Sequence, residues 1–227
     1  MRQKLALDPR HTGLLLVDLQ EEQRQVPHYA VAGFDLVLGN AERLLGTARE
    51  REILVVHAAY RRDFQAVPPR PLEPRAPDGG PAFSSKDSPL TAVCSAVAPR
   101  GAEPLLYKND ASAFCEGTLE PLLRKAAIEW LIVAGVWTEA CVAATVRDAI
   151  ARGIRVLLVK DACGSGTIAM HQTGIINIAN RLSGGAVAST AAACRLVAGE
   201  EVEVWVPERP VPLLFGYADA ERIYEAL

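Results

Sequence analysis

"WLIVAGVWTEACVAATVRDAIARGIRVLLVKDA", residues 130–162, contains the pattern that decides the fold. Two apolar runs, 130–136 and 154–162, enclose the segment 138–153, which reads as a helix that ends at Gly153. Because both runs are apolar throughout, they are predicted to be strands that are buried on both faces. A buried strand, a helix and a second buried strand in this order are typical of a parallel sheet covered by helices.

The same alternation of apolar runs and helical segments extends along most of the chain. It predicts four further strands, at 12–20, 53–60, 104–108 and 186–190, and further helices at 36–53, 118–129 and 170–182. The sequence therefore predicts an α/β fold of three layers, with six parallel strands between two layers of helices. No internal repeat or break between domains interrupts the pattern, so 1–227 is predicted to be a single domain.

Two segments fall outside this pattern. The Pro- and Gly-rich stretch 66–85 is predicted to be a long surface excursion without a regular element. Residues from about 200 onward are predicted to form a C-terminal extension. We expect an added strand and helix there, lying on the core or on another subunit.

The composition restricts the classes of partner. Half of the residues are hydrophobic, 22% are charged and the net charge is −3, which is ordinary for a soluble globular protein and provides no basic face. We therefore expect no nucleic acid and no membrane as a partner, and no signal peptide is recognisable at the N-terminus. The five cysteines form no C-x-x-C pair, which favours reduced thiols and a cytoplasmic location.

Several ionisable side chains follow directly after predicted strands. Ligands of an open parallel sheet bind beyond the carboxyl ends of the strands, where these residues are expected to gather. They are Asp18, residues 57–62, Lys108, Cys141 and Asp161.

Cys141 falls in the first turn of the predicted helix, with Thr138 as the expected N-cap. A thiol at a helix N-terminus beside a cation can have a pKa well below its free value of about 8.5. Cys141 is therefore a candidate nucleophile, and the alternative is that it packs the junction of strand and helix.

Asp18 and Lys108 are the candidate partners of this thiol. Asp18 follows an apolar run, so its carboxylate is expected to be shielded and to need a partner, unless it only caps the strand. Lys108 ends a short strand and either reaches solvent or meets a carboxylate. Together, Asp18 as base and Lys108 as cation would activate Cys141 for attack on a carbonyl carbon. The backbone N–H groups of Trp137 and Cys141 are the expected oxyanion donors.

Five segments carry a resemblance to a known family. In order along the chain they are "LLLVDLQ", "YKNDASAF", "GVWTEACVAATVRDA", "VLLVKDA" and "MHQTGIINI". They resemble the isochorismatase-like cysteine hydrolase superfamily, which includes nicotinamidases, N-carbamoylsarcosine amidases, ureidoacrylate amidases and biuret hydrolases. The resemblance covers about residues 10–190.

This resemblance implies a Rossmann-like sheet of six parallel strands, with helices on both sides. It also implies a catalytic triad of Asp18 as general base, Lys108, and Cys141 as nucleophile. The bond between Val136 and Trp137 is implied to be cis, so that a backbone N–H turns toward the oxyanion. Relatives of this kind form homo-oligomers, and a dimer or tetramer is expected.

The sequence departs from the metal-binding members of the family. Nicotinamidases carry an Asp-x-His motif after the second strand, whereas "HAAYRRDFQAV" at this position has no such motif and only His57. We therefore expect no metal, no cofactor and no nicotinamidase activity.

Five residues are candidate contacts of a small-molecule substrate. Arg61 and Arg62 are interpreted either as ligands of an acidic or ureido group or as solvated loop charges. Phe114 corresponds to a pocket-wall phenylalanine of the family, and its alternative is a place in the core. Trp137 either lines the pocket or packs in the core, and His171 either lines the site or caps a helix.

The function predicted from these residues is that of a metal-independent cysteine amidohydrolase. It would cleave the C–N bond of a small amide, ureide or N-carbamoyl compound through a thioester or thiocarbamate and release ammonia. The alternatives are a vinyl-ether hydrolase of the isochorismatase type and a non-catalytic binding protein on the same fold. The presence of Cys141 favours C–N hydrolysis, since isochorismatase does not require the thiol.

Overall fold

A computed structural model describes all 227 residues of the chain. Its centre is one sheet of eight strands in the order β1-β8-β7-β6-β5-β2-β3-β4. The strands are β1 (Arg2–Leu5), β2 (Thr12–Val17), β3 (Leu54–Tyr60), β4 (Leu105–Lys108), β5 (Trp130–Val136), β6 (Arg155–Gly164), β7 (Ala186–Ala188) and β8 (Val202–Trp205).

Seven α-helices surround this sheet, and the longer ones cover its two faces. They are α1 (Glu22–Gln25), α2 (Phe34–Glu50), α3 (Leu119–Lys125), α4 (Ala143–Ala151), α5 (Ile168–Ala179), α6 (Thr190–Val197) and α7 (Ala220–Ala226). A single π-helical turn, Thr138–Val142, precedes α4, and four short 3-10 turns lie at Pro9–His11, Pro27–Tyr29, Pro89–Thr91 and Ser95–Val97. None of the helices has both the length and the apolar character needed to cross a membrane.

The predicted three-layer α/β/α architecture is confirmed, and β2 to β7 are the six parallel strands of the sequence pattern. The total of six was wrong, because β8 pairs antiparallel with β7 and β1 pairs antiparallel with β8. The sequence of β1, "RQKL", is polar and mostly exposed, so it gives no apolar signal. Its place in the sheet depends on backbone pairing with β8, which lies in the predicted C-terminal extension.

The central strands are apolar throughout because both of their faces lie in a hydrophobic core. Along β5, Ile132 and Ala134 pack on the side of α2 and α6, whereas Leu131 and Val133 pack on the side of α3, α4 and α5. All four side chains are completely buried. Since the parallel strands all run in one direction, the residues that follow β2, β4 and β5 meet at one edge of the sheet.

Candidate active site

Asp18, which follows the end of β2, has an unusual backbone conformation. Its φ is 53°, in the left-handed region that aspartate tolerates better than most residues. Beside it on β5, Gly135 has a φ of 128°, and a Cβ there would lie 2.0 Å from the Val17 carbonyl oxygen. Only glycine lets β5 approach β2 this closely, and this approach fixes where Asp18 leaves the sheet.

Lys108, the last residue of β4, is buried, and its ammonium group contacts other groups of the protein. Its Nζ lies 2.8 Å from Asp18 Oδ2, and it donates to Cys141 Sγ at 3.2 Å and to the Asp110 carbonyl oxygen at 3.1 Å. The Tyr60 ring also lies against this cation, 4.5 Å from Nζ to the ring centroid. The structure thus brings the three predicted residues, Asp18, Lys108 and Cys141, into one cluster.

Cys141 lies in the π-helical turn that precedes α4. The hydrogen bonds that stabilise this turn differ from the predicted N-cap. Thr138 does not cap the helix with its side chain, because its hydroxyl donates to the Gly164 carbonyl oxygen at 3.0 Å. The same hydroxyl oxygen lies 2.8 Å from His171 Nδ1, which therefore donates to it. His171 Nε2 is left to accept from the Tyr224 hydroxyl at 3.2 Å.

Burial opposes the low pKa that the helix start and the neighbouring ammonium would favour for the Cys141 thiol. Burial, and then the negative charge of Asp18, raise the pKa of Cys141 to about 12, although Lys108 opposes them. The helix start and one ammonium are too little to outweigh desolvation here.

The other two groups of the cluster have raised pKa values as well. Burial raises the pKa of Asp18, against the opposing charge of Lys108. Burial acts to lower the pKa of Lys108, but the charge of Asp18, and that of the Cys141 thiolate once it forms, outweigh it and the pKa is raised. Asp18 Oδ1 is buried and has no hydrogen-bond partner, so it is free to accept a proton.

A cavity of about 370 Å³ opens onto Asp18 and Cys141. Trp137 forms part of its wall, and its indole Nε1 donates to Gln23 Oε1 at 2.8 Å. The bond between Val136 and Trp137 is cis, as the family resemblance implies. The backbone N–H of Trp137 donates to no group of the protein.

Two of the candidate substrate contacts do not line this cavity. Phe114 is buried in the core, and the guanidinium of Arg152 stacks on its ring at 4.7 Å. Arg61 stacks on Tyr107 at 4.6 Å and lines a separate surface depression. Their alternatives, a core aromatic and a surface charge, describe these positions better.

Arg62 also lies outside the cavity wall. It is a buried structural residue, whose guanidinium forms two bonds with the Glu73 carboxylate, of 2.5 and 2.6 Å. The Arg62 backbone N–H also donates to the Ser84 carbonyl oxygen at 2.7 Å, and Phe83 and Ser84 of the excursion after β3 form part of the cavity wall. Neither of the two interpretations of Arg62, a substrate ligand or a solvated charge, describes this position.

His171 is the fourth candidate contact outside the cavity wall. Burial lowers its pKa to about 4, so its imidazole is neutral near pH 7. Through its bond to Thr138 it supports the turn that carries Cys141. It does not cap α5 either, because the Thr167 hydroxyl caps that helix by accepting from the Met170 backbone N–H.

Most of the cavity wall was not assigned from the sequence. Tyr60 falls in the range 57–62 singled out from the sequence; the residues that sequence reasoning missed are Glu22, Gln23, His28, Tyr29, Phe83, Ser84, Asp110, Ala111 and Ala140. Glu22 and Gln23 follow Asp18 closely in sequence, and this proximity was the signal that could have identified them as cavity residues. Phe83 and Ser84 lie in the excursion at 66–85, and no local sequence pattern marks them as cavity residues.

His57, the only histidine near the position of the family's metal motif, faces elsewhere. Its Nε2 lies 3.1 Å from Glu103 Oε2, and Arg49 pairs with the same carboxylate at 2.7 Å. No group of three or more His, Cys, Asp or Glu side chains in the structure has an arrangement that could hold a metal ion.

Comparison with known proteins shows which family the chain belongs to. Residues 12–192 match the family model of the Isochorismatase domain. The chain belongs to the isochorismatase family. The family resemblance stated from the sequence motifs is therefore confirmed.

Relatives of this isochorismatase-family protein include amidohydrolases. It is 32% identical to the maleamate amidohydrolase of Pseudomonas putida over 179 residues, which cover 74% of this chain and 79% of that protein. It is 29% identical to the N-carbamoylsarcosine amidase of an Arthrobacter species, over 73% of this chain and 64% of that protein. A cysteine hydrolase structure from Pseudomonas syringae pv. phaseolicola shares the fold, with a TM-score of 0.76 at 20% identity, over 86% of this chain and 95% of that one. The protein is thus a member of a hydrolase family with amidohydrolases among its relatives.

Proposed function

We propose that this protein is a cysteine amidohydrolase that cleaves the C–N bond of a small amide, ureide or N-carbamoyl compound and releases ammonia. One observation carries the proposal: at the cavity, the Lys108 ammonium contacts both the Cys141 thiol and the Asp18 carboxylate, whose second oxygen has no partner. A nucleophile, a base and a fixed cation in contact are what covalent hydrolysis of an amide requires.

Asp18 is the proposed general base for Cys141. Because the pKa of the thiol is about 12, a free thiolate is scarce near pH 7, and proton removal has to accompany attack. The proton passes from Sγ to Asp18 while the new S–C bond forms at the carbonyl carbon. The raised pKa of Asp18 makes its carboxylate a stronger base than an exposed aspartate.

Lys108 keeps its proton throughout this cycle. It compensates the charge of Asp18 before the transfer and the developing charge on sulfur during it, over contacts of 2.8 and 3.2 Å. Its raised pKa fits this permanent charge. Its role is therefore electrostatic, and no proton transfer through Lys108 is needed.

The tetrahedral intermediate needs hydrogen-bond donors for its oxyanion. The backbone N–H of Trp137, which has no partner within the protein, is one proposed donor, and that of Cys141 is the other. As the intermediate collapses, Asp18 returns the proton to the leaving nitrogen, the C–N bond breaks, and ammonia leaves a thioester or thiocarbamate on Cys141.

Water completes the reaction. Asp18 takes a proton from the water as it attacks the carbonyl carbon, and the C–S bond then breaks with return of the proton to sulfur. An amide gives a carboxylic acid, and an N-carbamoyl compound that has lost ammonia gives a substituted carbamic acid, which decomposes to carbon dioxide and an amine. The names of the maleamate and N-carbamoylsarcosine relatives support C–N hydrolysis.

Ammonia release from a panel of primary amides and N-carbamoyl compounds, with anionic, neutral and cationic remainders, tests the proposal. We expect at least one compound to be hydrolysed, with a transient mass increase on Cys141 equal to its acyl or carbamoyl group. Cys141→Ser should abolish turnover and keep the circular dichroism spectrum. Turnover that survives this substitution would exclude the covalent mechanism.

A further inference from the structure

The cavity wall has an unusual balance of charge. Three carboxylates line it, those of Asp18, Glu22 and Asp110, together with the imidazole of His28, but no lysine or arginine does. Asp18 is compensated by Lys108 and Asp110 by Arg70, whose Nη1 lies 2.7 Å from Asp110 Oδ2.

Glu22 is the lining carboxylate that forms no ion pair. It lies at the start of α1, is only 4% exposed, and accepts hydrogen bonds from the hydroxyl of Ser84 and, at 3.2 Å, from its backbone N–H. Both of these donors are neutral. A buried carboxylate without a cation is costly, and a cationic group that enters the cavity would reduce that cost.

The remaining wall suits a cation as well. Tyr29, Tyr60, Phe83 and Trp137 line the cavity, and the Phe83 ring packs between the two tyrosines, with centroid distances of 5.5 Å to Tyr29 and 5.4 Å to Tyr60. Aromatic faces attract ammonium and guanidinium groups. A carboxylate, by contrast, would meet Glu22 and find no arginine or lysine in the wall.

We propose that the cavity selects substrates whose non-reacting end carries a positively charged nitrogen, and that Glu22 is the residue that recognises this charge. The proposal rests on the amidohydrolase function for the reaction itself. It names Glu22 as a specificity-determining residue and an ammonium or guanidinium as the group bound. An amide with a cationic remainder is thus favoured over an uncharged one, and an anionic amide is disfavoured.

The first test measures the preference of the cavity for cationic over anionic reagents and needs no substrate. Cys141 is modified with the trimethylammonium-ethyl and the sulfonatoethyl methanethiosulfonates, and each rate is divided by that of the reagent with 2-mercaptoethanol. Mass spectrometry of the Cys141 peptide separates this reaction from that of the other cysteines. We expect the cationic reagent to be favoured about tenfold or more in the unmodified protein. A ratio of one or below overturns the proposal, whatever happens in any variant.

Glu22→Gln isolates the charge, because it keeps an acceptor oxygen for Ser84. We expect it to reduce the preference about tenfold, whereas Glu21→Gln, a charge change at a neighbour outside the cavity wall, keeps the ratio of the unmodified protein. If Glu22 only held Ser84 in place, Glu22→Gln would change the rates of both reagents alike and leave their ratio. That result would overturn the assignment of Glu22.

The second test uses ammonia release from three amides of similar size: β-alaninamide, butanamide and succinamate, which are cationic, neutral and anionic. We expect kcat/KM to fall in that order, and Glu22→Gln to remove most of the advantage of the cation. Equal turnover of all three overturns the charge selection and leaves the amidohydrolase function standing. The opposite result is also informative. If the thiol reaction prefers the cationic reagent but no amide releases ammonia, the charge selection stands and the amidohydrolase function fails.

Discussion

The ammonium of Lys108 lies 2.8 Å from the carboxylate of Asp18, and both side chains are almost completely buried. Replacing Lys108 with methionine would leave the Asp18 charge without compensation. We expect Lys108→Met to lower the free energy of unfolding by about 3–5 kcal/mol at pH 7 and to abolish turnover. Urea denaturation measures the first effect. Lys86→Met, which breaks a partly exposed pair with Asp63, is the control and should cost under about 1 kcal/mol. Equal losses in both variants would contradict the buried pair.

Removing the charge of Asp18 should separate thiol reactivity from catalysis. Asp18 raises the pKa of Cys141 and Lys108 lowers it, so Asp18→Asn should lower the pKa of the thiol. Iodoacetamide alkylation of Cys141 should then become faster between about pH 7 and 9. Ammonia release should fall by about 10²- to 10⁴-fold, because the base is lost. An unchanged alkylation profile would show that Asp18 does not act on the thiol.

The pH profile of kcat/KM should report the ionisation of Asp18. Its carboxylate must be deprotonated to accept the thiol proton, and its folded-state pKa is raised above the usual 3.8. Activity should therefore be full above this raised pKa and be lost as the pH falls through it. An acid limb at or below pH 3.8, measured under conditions where the circular dichroism spectrum is unchanged, would argue against this assignment.

Activity is expected to need no divalent metal. Dialysis against EDTA should leave kcat unchanged, since the proposed mechanism assigns base, nucleophile and charge stabilisation to Asp18, Cys141 and Lys108. Addition of zinc or manganese to the dialysed protein is the matched measurement. A loss of activity that either metal restores would refute this expectation.

Gly135 should be intolerant of a side chain. A Cβ at this position would lie 2.0 Å from the Val17 carbonyl oxygen, at a φ of 128°. We expect Gly135→Ala to lower the free energy of unfolding by more than about 1 kcal/mol and to reduce turnover by displacing Asp18. Gly39→Ala, in α2 where a Cβ meets nothing within 4 Å, should instead stabilise the protein by about 0.5–1 kcal/mol. Thermal melting compares the two.

The sequence predicts those parts of the fold and site that depend on local pattern. The buried strands β2, β3, β5 and β6 appear as apolar runs, and the parallel arrangement brings Asp18, Lys108 and Cys141 to one edge. The expected homo-oligomer and cytoplasmic location stay predictions.

Features that depend on tertiary contacts could not be predicted in this way. The polar strand β1 is specified only by pairing with β8, from the opposite end of the chain. The raised pKa of Cys141 follows from burial, which the position at a helix start does not reveal. The contact of Ser84 with Glu22 depends on the path of the excursion, which pairs with the Arg62 backbone at Ser84 and Lys86.

This excursion has a consequence for how the protein can diversify. Phe83 and Ser84 reach the cavity from a segment that contributes no strand to the sheet, and the Arg62–Glu73 ion pair of this segment is separate from that of Asp18 and Lys108. One part of the cavity wall is thus encoded apart from the catalytic residues, whereas Glu22 follows Asp18 within the same stretch of chain. A loop graft that preserves Arg62 and Glu73 offers a way to reshape the side of the cavity formed by Phe83 and Ser84 while the hydrolytic centre stays intact.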